Sequence, residues 1–358
     1  MRRSARQYPL LGLCVQVIPV KPFKAFQIGQ QGSSAPVGRF VQMDETLLDA
    51  GDVLIRVEFS SVNYKDALAA SGKGRVVRRF PCVGGIDLAG TVVKSAAPRF
   101  QPGDPVIATG YEMGVAHHGG YAEYALVPGG WVLPLPPGLS LQDAMAIGTA
   151  GLTAAMAITR MENNGLKPES GPLIVTGASG GVGSLAIDML AGRGYEVVAL
   201  TGKPEQADWL RSIGAARVML RSELQLDAIK PLEKGIWAGA VDNLGGAVLA
   251  WLLSTSKPTG VVASIGLAAD SALNTSVMPF VLRGVSLLGI DSVYAGFGVR
   301  EKVWSRLSGD LRPRHLAAIA RLVPFDELPN VFDNLIAGLA RGRTVVQIAL
   351  SGNTKETS

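Results

Sequence analysis

An apolar strand that runs into a row of glycines, then a helix and a second apolar strand, is the feature of this chain that leaves the fewest folds open. Residues 171–203 contain Leu173-Ile174-Val175, then Thr176-Gly177-Ala178-Ser179-Gly180-Gly181-Val182-Gly183, then a helical period, then a strand ending Thr201-Gly202-Lys203. Glycines at a strand-to-helix turn let backbone approach a pyrophosphate, and the free N–H groups of the next helix favour its charge. A dinucleotide is therefore the expected ligand. In such units an acid at the end of the second strand holds the ribose 2′-hydroxyl, whereas a basic group there accepts a 2′-phosphate. Thr201, Gly202 and Lys203 include no acid, so the expected dinucleotide is NADPH.

The same eight residues satisfy other patterns. As Thr-Gly-x-x-x-Gly-x-Gly they fit short-chain reductases, which need a Tyr followed four residues later by Lys; none of the seven tyrosines has one. As Gly177-Ala178-Ser179-Gly180-Gly181 they fit a hydrolase nucleophile elbow, with Asp270 or Asp291 and then His315 downstream to complete a triad. A glycine-rich turn that binds nothing is the plain alternative. The helical period and second apolar strand that follow in order argue against it.

A chain of 358 residues can hold two domains with full cores, and no stretch before or after the motif is apolar for long enough to span a bilayer. The formal charge of +5 is concentrated at the start, where residues 1–24 hold Arg2, Arg3, Arg6, Lys21 and Lys24 and no acid. Without those five, basic and acidic residues balance at 29 each, so a general grip on nucleic acid is not expected. The first 22 residues superficially resemble an export signal, but Gln16 interrupts the apolar run and no small-x-small cleavage site follows. They are expected to form a tail. Cys14 and Cys82 allow at most one bridge, which fits a reduced, cytoplasmic protein away from membranes.

Up to about Gly130 short strand-like runs (53–57, 90–93, 104–108) alternate with Gly and Pro turns, as in a compact β-rich domain. From about Ala146 strands at 173–175, 196–200, 217–220, 238–241, 260–265 and 286–289 alternate with helical stretches, as in a doubly wound parallel sheet. The boundary is placed near Gly148. A helix from about Arg300 leads to a last strand, 343–348, in the style of the first domain. The expected division is thus a tail (1–22), a catalytic domain (23–147), a nucleotide-binding domain (148–290) and a return to the catalytic domain (291–358).

These features together resemble the medium-chain dehydrogenase/reductase superfamily. The resemblance rests on Ser61-Val62-Asn63-Tyr64-Lys65-Asp66, residues 81–90, Pro102-Gly103-Asp104, Gly119-Gly120-Tyr121-Ala122-Glu123-Tyr124, and Ala178 with Gly181, in the superfamily order. Asn63-Tyr64-Lys65-Asp66-Ala67-Leu68, residues 176–183 and Val277-Met278-Pro279-Phe280 are similar to the acryloyl-CoA reductase branch of its zinc-free quinone-oxidoreductase-like group. The resemblance implies an α/β architecture, a GroES-like β-rich catalytic domain joined to a Rossmann domain, and a homodimer. Asn63 stands where zinc-dependent relatives have their first Cys, and Ile86-Asp87 replaces His-Glu, so no metal is expected. His117 and His118, being adjacent, would face opposite sides of a strand and are assigned to a loop.

Without a Lewis acid to hold an alkoxide, a conjugated alkene becomes the natural electrophile. The expected reaction is NADPH-dependent reduction of an α,β-unsaturated acyl-CoA, most simply acryloyl-CoA to propanoyl-CoA, with hydride arriving at the β-carbon. The other readings are a quinone or 2-alkenal reductase and a non-catalytic NADPH-binding sensor. Positioning can lower such a barrier by ~7–11 kcal/mol and an oxyanion donor by ~3–4 kcal/mol, so orientation and donors suffice. The resemblance puts Tyr64 beside the nicotinamide, and Asn63 could donate to a carbonyl from the vacated metal position; Lys65 and Asp66 could simply pair with each other. Ser179, Gly180, Gly181 and Val182 would form the pyrophosphate turn, with Thr201, Gly202 and Lys203 at the 2′-phosphate and Arg217 or, by resemblance, Arg221 assisting. Leu267, Ile290, Ser292 and Arg341 are placed near the nicotinamide or the cleft by resemblance. Residues 63–79 hold Lys65, Lys73, Arg75, Arg78 and Arg79 against the single acid Asp66. Lys73, Arg75 and Arg78 are the candidates for coenzyme A phosphates.

Overall fold

A computed structural model of the chain describes residues 22–32 and 34–349; Arg2, Arg3, Arg6, Cys14 and Lys21 lie outside the described residues. The first part forms strands β1 (Phe23–Gly29), β2 (Val37–Met43), β3 (Val53–Val62), β4 (Cys82–Val83), β5 (Asp87–Ser95), β6 (Pro105–Thr109), β7 (Tyr124–Val127) and β8 (Val132–Pro134), with helix α1 (Tyr64–Ser71) after β3. Here β1 pairs with β2 and β4 in a small sheet. A larger sheet runs β15-β16-β3-β5-β6-β8, with β7 also on β3; β15 (Ala320–Pro324) and β16 (Arg343–Gln347) come from the far end of the chain. Covered on both sides, β3 is apolar along much of its length rather than strictly alternating.

Helix α2 (Leu141–Asn163) joins the two halves. Ser140 caps it by accepting from the Asp143 N–H at 3.0 Å, and Asp143 reaches back to the Ser140 N–H. Contrary to the expectation from sequence, it is long and apolar enough to cross a membrane, but its apolar window is 78% buried within the protein. It is a core helix. Gly148 (φ +50°, ψ −157°) breaks its helical geometry at the position where the sequence changes style.

The remaining strands, β9 (Leu173–Thr176), β10 (Val197–Thr201), β11 (Arg217–Leu220), β12 (Trp237–Asp242), β13 (Ser256–Ser264) and β14 (Ser286–Gly289), form one parallel sheet in the order β11-β10-β9-β12-β13-β14. Helices α3 (Gly181–Gly192), α4 (Ala207–Ser212), α5 (Gly246–Ser254) and α6 (Met278–Arg283) lie between strands. The order reverses between β9 and β12, and a ligand crevice opens at such a switch point, outside the strands' carboxyl ends.

The end of the chain differs from the expected single helix and strand. Helices α7 (Phe297–Leu307) and α8 (Leu316–Ile319) precede β15, and α9 (Leu328–Ile336) separates β15 from β16. The strand was hidden because a helical turn runs straight into it, whereas Leu328, Val331 and Phe332 mark the buried face of α9 at helical spacing.

Candidate active site

The nucleotide residues predicted from sequence gather at the carboxyl ends of the parallel strands. Behind β9, Gly177 takes φ +58°, and a Cβ on Gly183 would run into the Gly177 carbonyl oxygen, so the turn closes only because that side chain is missing. Gly180 caps α3 and faces open space apart from the Gly177 oxygen, 3.3 Å from where its Cβ would be. This is a cradle a pyrophosphate fits. Thr176 and Asp242 lock the switch point: Thr176 Oγ1 donates to Asp242 at 2.7 Å, and Asn243 Nδ2 donates to the Thr176 carbonyl at 2.8 Å.

Lys203, past β10, extends its amine to the carbonyl of Ala340 at 2.8 Å, beside Arg341, whose guanidinium lies 5.0 Å from the Trp209 ring centre. Neither cation has a carboxylate within 4.0 Å among the described residues. Arg221 follows Leu220, which is paired with Thr201 and so brings it to the same end of the sheet. Arg217 faces Glu196 at 3.6 Å. Leu267 follows β13 and is exposed; Ile290 and Ser292 follow β14, and Ser292 is buried, accepting from Thr153 at 2.6 Å.

A buried charged cluster lies beside this turn. Arg343, at the head of β16, donates to the carbonyls of Ala146 and Val62, to Asn63 Oδ1 at 3.1 Å and to Ser61 Oγ at 2.7 Å. Its guanidinium stands 3.9 Å from Asp87, which accepts from Ser61 at 2.6 Å, from Asn63 Nδ2 at 2.8 Å, and from both the amide (3.0 Å) and hydroxyl of Thr149. Such partners are what make a buried ion pair tolerable. Gly148 touches the cluster: a Cβ there would lie 2.7 Å from Arg343 and 2.8 Å from Asp87 and Ser61. Gly181 of the glycine turn packs on the Arg343 side chain, so one residue braces the turn and the start of α1 together. Sequence reasoning missed Arg343. The available signal was an arginine opening an otherwise apolar strand.

Asn63 is therefore not free to polarise a substrate carbonyl as expected, because its oxygen holds Arg343 and its amide holds Asp87. Nor do Lys65 and Asp66 pair. Asp66 turns inward, accepting from the Asn63 and Ile86 amides at 2.9 and 3.2 Å, and burial pushes its carboxyl up to about 7, with Asp87 adding to the rise. Tyr64, the first residue of α1, is 52% exposed.

The basic loop also changes. Arg78 bonds Glu112, and Arg79 bonds Asp49 at 2.5 Å, so two of its five cations are already partnered. Lys73 and Arg75 stay exposed. The elbow reading fails in space, since His315 is held by Asp188 at 2.8 Å and Asp270 bridges to Gly245, with no hydrogen bond from either to Ser179. His117 and His118 lie in a loop, where His118 accepts from the Val83 amide at 3.0 Å and burial pushes its pKa down. Cys82 is a free, buried thiol, pushed up to about 12 by desolvation. Among the described residues no three His, Cys, Asp or Glu side chains converge as a metal set.

A doubly wound sheet with a glycine cradle, joined to a β-rich lobe whose Asn63, next to the exposed Tyr64, is tied to that cradle through Arg343, defines a dinucleotide-dependent oxidoreductase. Residues 49–137 match the alcohol dehydrogenase GroES-like domain family and residues 181–308 the zinc-binding dehydrogenase family. The chain is 50% identical to the putative quinone oxidoreductase YhfP of Bacillus subtilis (83% of this chain, 90% of YhfP), whose structure with NAD bound gives a TM-score of 0.89 over 92% of this chain and 100% of that one. It is 47% identical to the acrylyl-CoA reductase AcuI of Ruegeria pomeroyi, covering 86% of this chain and 93% of AcuI. Escherichia coli YhdH with bound NADPH matches with a TM-score of 0.88 at 43% identity, over 91% of this chain and 100% of that one. The chain belongs to the medium-chain dehydrogenase/reductase superfamily, in its quinone-oxidoreductase-like group.

Proposed function

We propose that this protein reduces the double bond of an α,β-unsaturated acyl-CoA, most simply acryloyl-CoA to propanoyl-CoA, using NADPH. The observation that carries the reading is that Arg343 packs on Gly181 of the glycine cradle and bonds Asn63, next to Tyr64 at the start of α1, while Lys203 and Arg341, past the second strand of the sheet and before β16, have no carboxylate partner among the described residues. The 47% identity to an acrylyl-CoA reductase supports the substrate.

The bound nicotinamide would supply the hydride, and the protein's part is to position and shield. Ser179, Gly180, Gly181 and Val182 hold the pyrophosphate through backbone N–H groups; Thr201, Gly202, Lys203, Arg221 and Arg341 surround the 2′-phosphate. Leu267, Ile290 and Ser292 border the nicotinamide. Tyr64 packs on the reacting centre, with its hydroxyl free to donate to the thioester oxygen as charge gathers there. Asn63 acts one step back by fixing α1 on Arg343. Lys73 and Arg75 receive coenzyme A phosphates.

We place the domain division at the Gly148 break, with residues 23–147 and 291–358 on one side and 148–290 on the other. The fold fits a homodimer formed at the edge strand β14, beside which Val277, Val281 and Leu282 of the α6 region are 69%, 74% and 62% exposed. The cytoplasm, where NADPH is available, is the compartment we assign. A spectrophotometric screen of NADPH and NADH against acryloyl-CoA, crotonyl-CoA, benzoquinone and acrolein tests the reading. A preference for thioesters with NADPH is expected. Faster turnover of benzoquinone or acrolein would favour the second reading, a quinone or 2-alkenal reductase, which the 50% identity to YhfP supports.

A further inference from the structure

Three side chains near the basic loop form an ionic bracket to which the reaction described above gives no task. Tyr294 Oη donates to Glu112 Oε1 at 2.8 Å, while Arg78 donates to Glu112 Oε2 and lies 3.4 Å from the Tyr294 hydroxyl. They come from the loop before β4, the loop after β6 and the loop after β14, so the bracket joins the first part of the catalytic domain to its returning part.

The main chain under them is fixed. The Arg78 amide donates to Val115 at 2.8 Å and the Tyr111 amide to Val293 at 3.0 Å. Tyr111 is held at φ +52°, its ring stacked on Trp131 at 5.3 Å with the Arg300 guanidinium 4.3 Å from its centre. Arg300 in turn holds the carbonyls of Ser292, Val293 and Ala295 at 2.7–2.8 Å. Strain of this kind persists only where surroundings over-determine it. The side chains above that frame, by contrast, reach into solvent: Tyr294 is 56% exposed and the Arg78 side chain 55%. They can exchange partners without moving a loop. Hydrogen bonds from Arg78 and then Tyr294, with a weaker pull from Lys65, hold the Glu112 carboxyl below the usual range, so it is an anion at neutral pH.

We propose that Glu112 sets substrate preference by competing with a substrate phosphate for Arg78. With no phosphate present, Arg78 stays on Glu112 and Tyr294. A phosphate on the substrate's nucleotide arm offers the guanidinium a bidentate partner, and the exposed, solvent-screened pair with Glu112 yields. A small uncharged enone leaves the bracket closed. Glu112 is thus a tax on phosphate-bearing substrates, and Lys73 and Arg75 carry the rest of their recognition.

This rests on the acyl-CoA reading, and the experiment separates the two. KM and kcat are measured for acryloyl-CoA and acrolein at saturating NADPH in the wild type, Glu112→Gln, Glu112→Asp, Arg78→Ala and the Glu112→Gln/Arg78→Ala double variant, with calorimetric titration of coenzyme A. Glu112→Gln should lower the acryloyl-CoA KM roughly three- to fivefold relative to the acrolein KM and tighten coenzyme A binding alike, an effect that shrinks with added salt. Glu112→Asp should shift it the same way by less. Arg78→Ala should raise the thioester KM and abolish the effect of Glu112→Gln, the non-additivity that direct competition requires. An unchanged KM ratio in Glu112→Gln, or additive effects in the double variant, overturns the competition while leaving the acyl-CoA reading intact. A wild type that neither turns over acryloyl-CoA nor binds coenzyme A overturns both.

Discussion

The glycine turn behind β9 and the charged cluster around Arg343 touch each other through Gly181, yet they are built on opposite principles. The turn works by absence: at Gly183 a missing Cβ is what lets the chain close. The cluster works by saturation, with nearly every donor on Arg343 used and four hydrogen bonds arriving at Asp87 from Ser61, Asn63 and Thr149. Damage to the turn should therefore appear first in nucleotide binding, and damage to the cluster first in stability.

The largest effect should come from orphaning one buried charge. Arg343→Met leaves Asp87 without its cation, and Asp87→Asn leaves Arg343 without its anion; each should cost about 3–5 kcal/mol in urea unfolding. Removing both should cost less than the sum, because neither charge is then left alone. If Arg343→Met unfolds like the wild type and loses only NADPH affinity, the division between the two regions is wrong.

Gly148→Ala comes next, and it tests whether the cluster needs the break in α2. The new methyl would meet Arg343, Asp87 and Ser61 at 2.7–2.8 Å and would also have to sit at φ +50°. A loss of about 2–3 kcal/mol by denaturant unfolding is expected. Gly183→Ala should do the reverse, weakening NADPH about tenfold in a fluorescence titration, a change of ~1.4 kcal/mol, with a smaller shift in melting temperature.

The contrast also explains what could be read from the sequence. The glycine turn and the six parallel strands are local patterns, and the structure contains each within a few residues of where the pattern put it. Nothing in their own stretches of chain says that Ser61, Asp87, Thr149 and Arg343 meet; only the pairing of β16 with β3 brings Arg343 opposite Asn63. Asn63, expected to donate to a substrate carbonyl, bonds Arg343 and Asp87 instead, and the sequence could not show it for the same reason. Charge counting along 63–79 likewise could not see Glu112 and Asp49 arriving from other loops.

The smallest effect is a pH dependence that only the cluster should show. The unfolded chain releases the Asp66 proton near 3.8, whereas the folded protein keeps it to about 7, with Asp87, Tyr121 and Arg343 as its charged or ionisable neighbours. Between those values the native state binds more protons than the unfolded one, so this contribution to stability is whole below pH 4 and is lost as pH rises through 7. From pH 6 to 8 the loss should be about 1 kcal/mol. Asp66→Asn retains an acceptor for the Asn63 amide but carries no proton to release, so its urea midpoint should fall less over that interval than the wild type's. A variant at Gly183 should leave that interval's slope as it was, because no titratable group belongs to the turn; equal flattening in both would mean that the slope arises elsewhere.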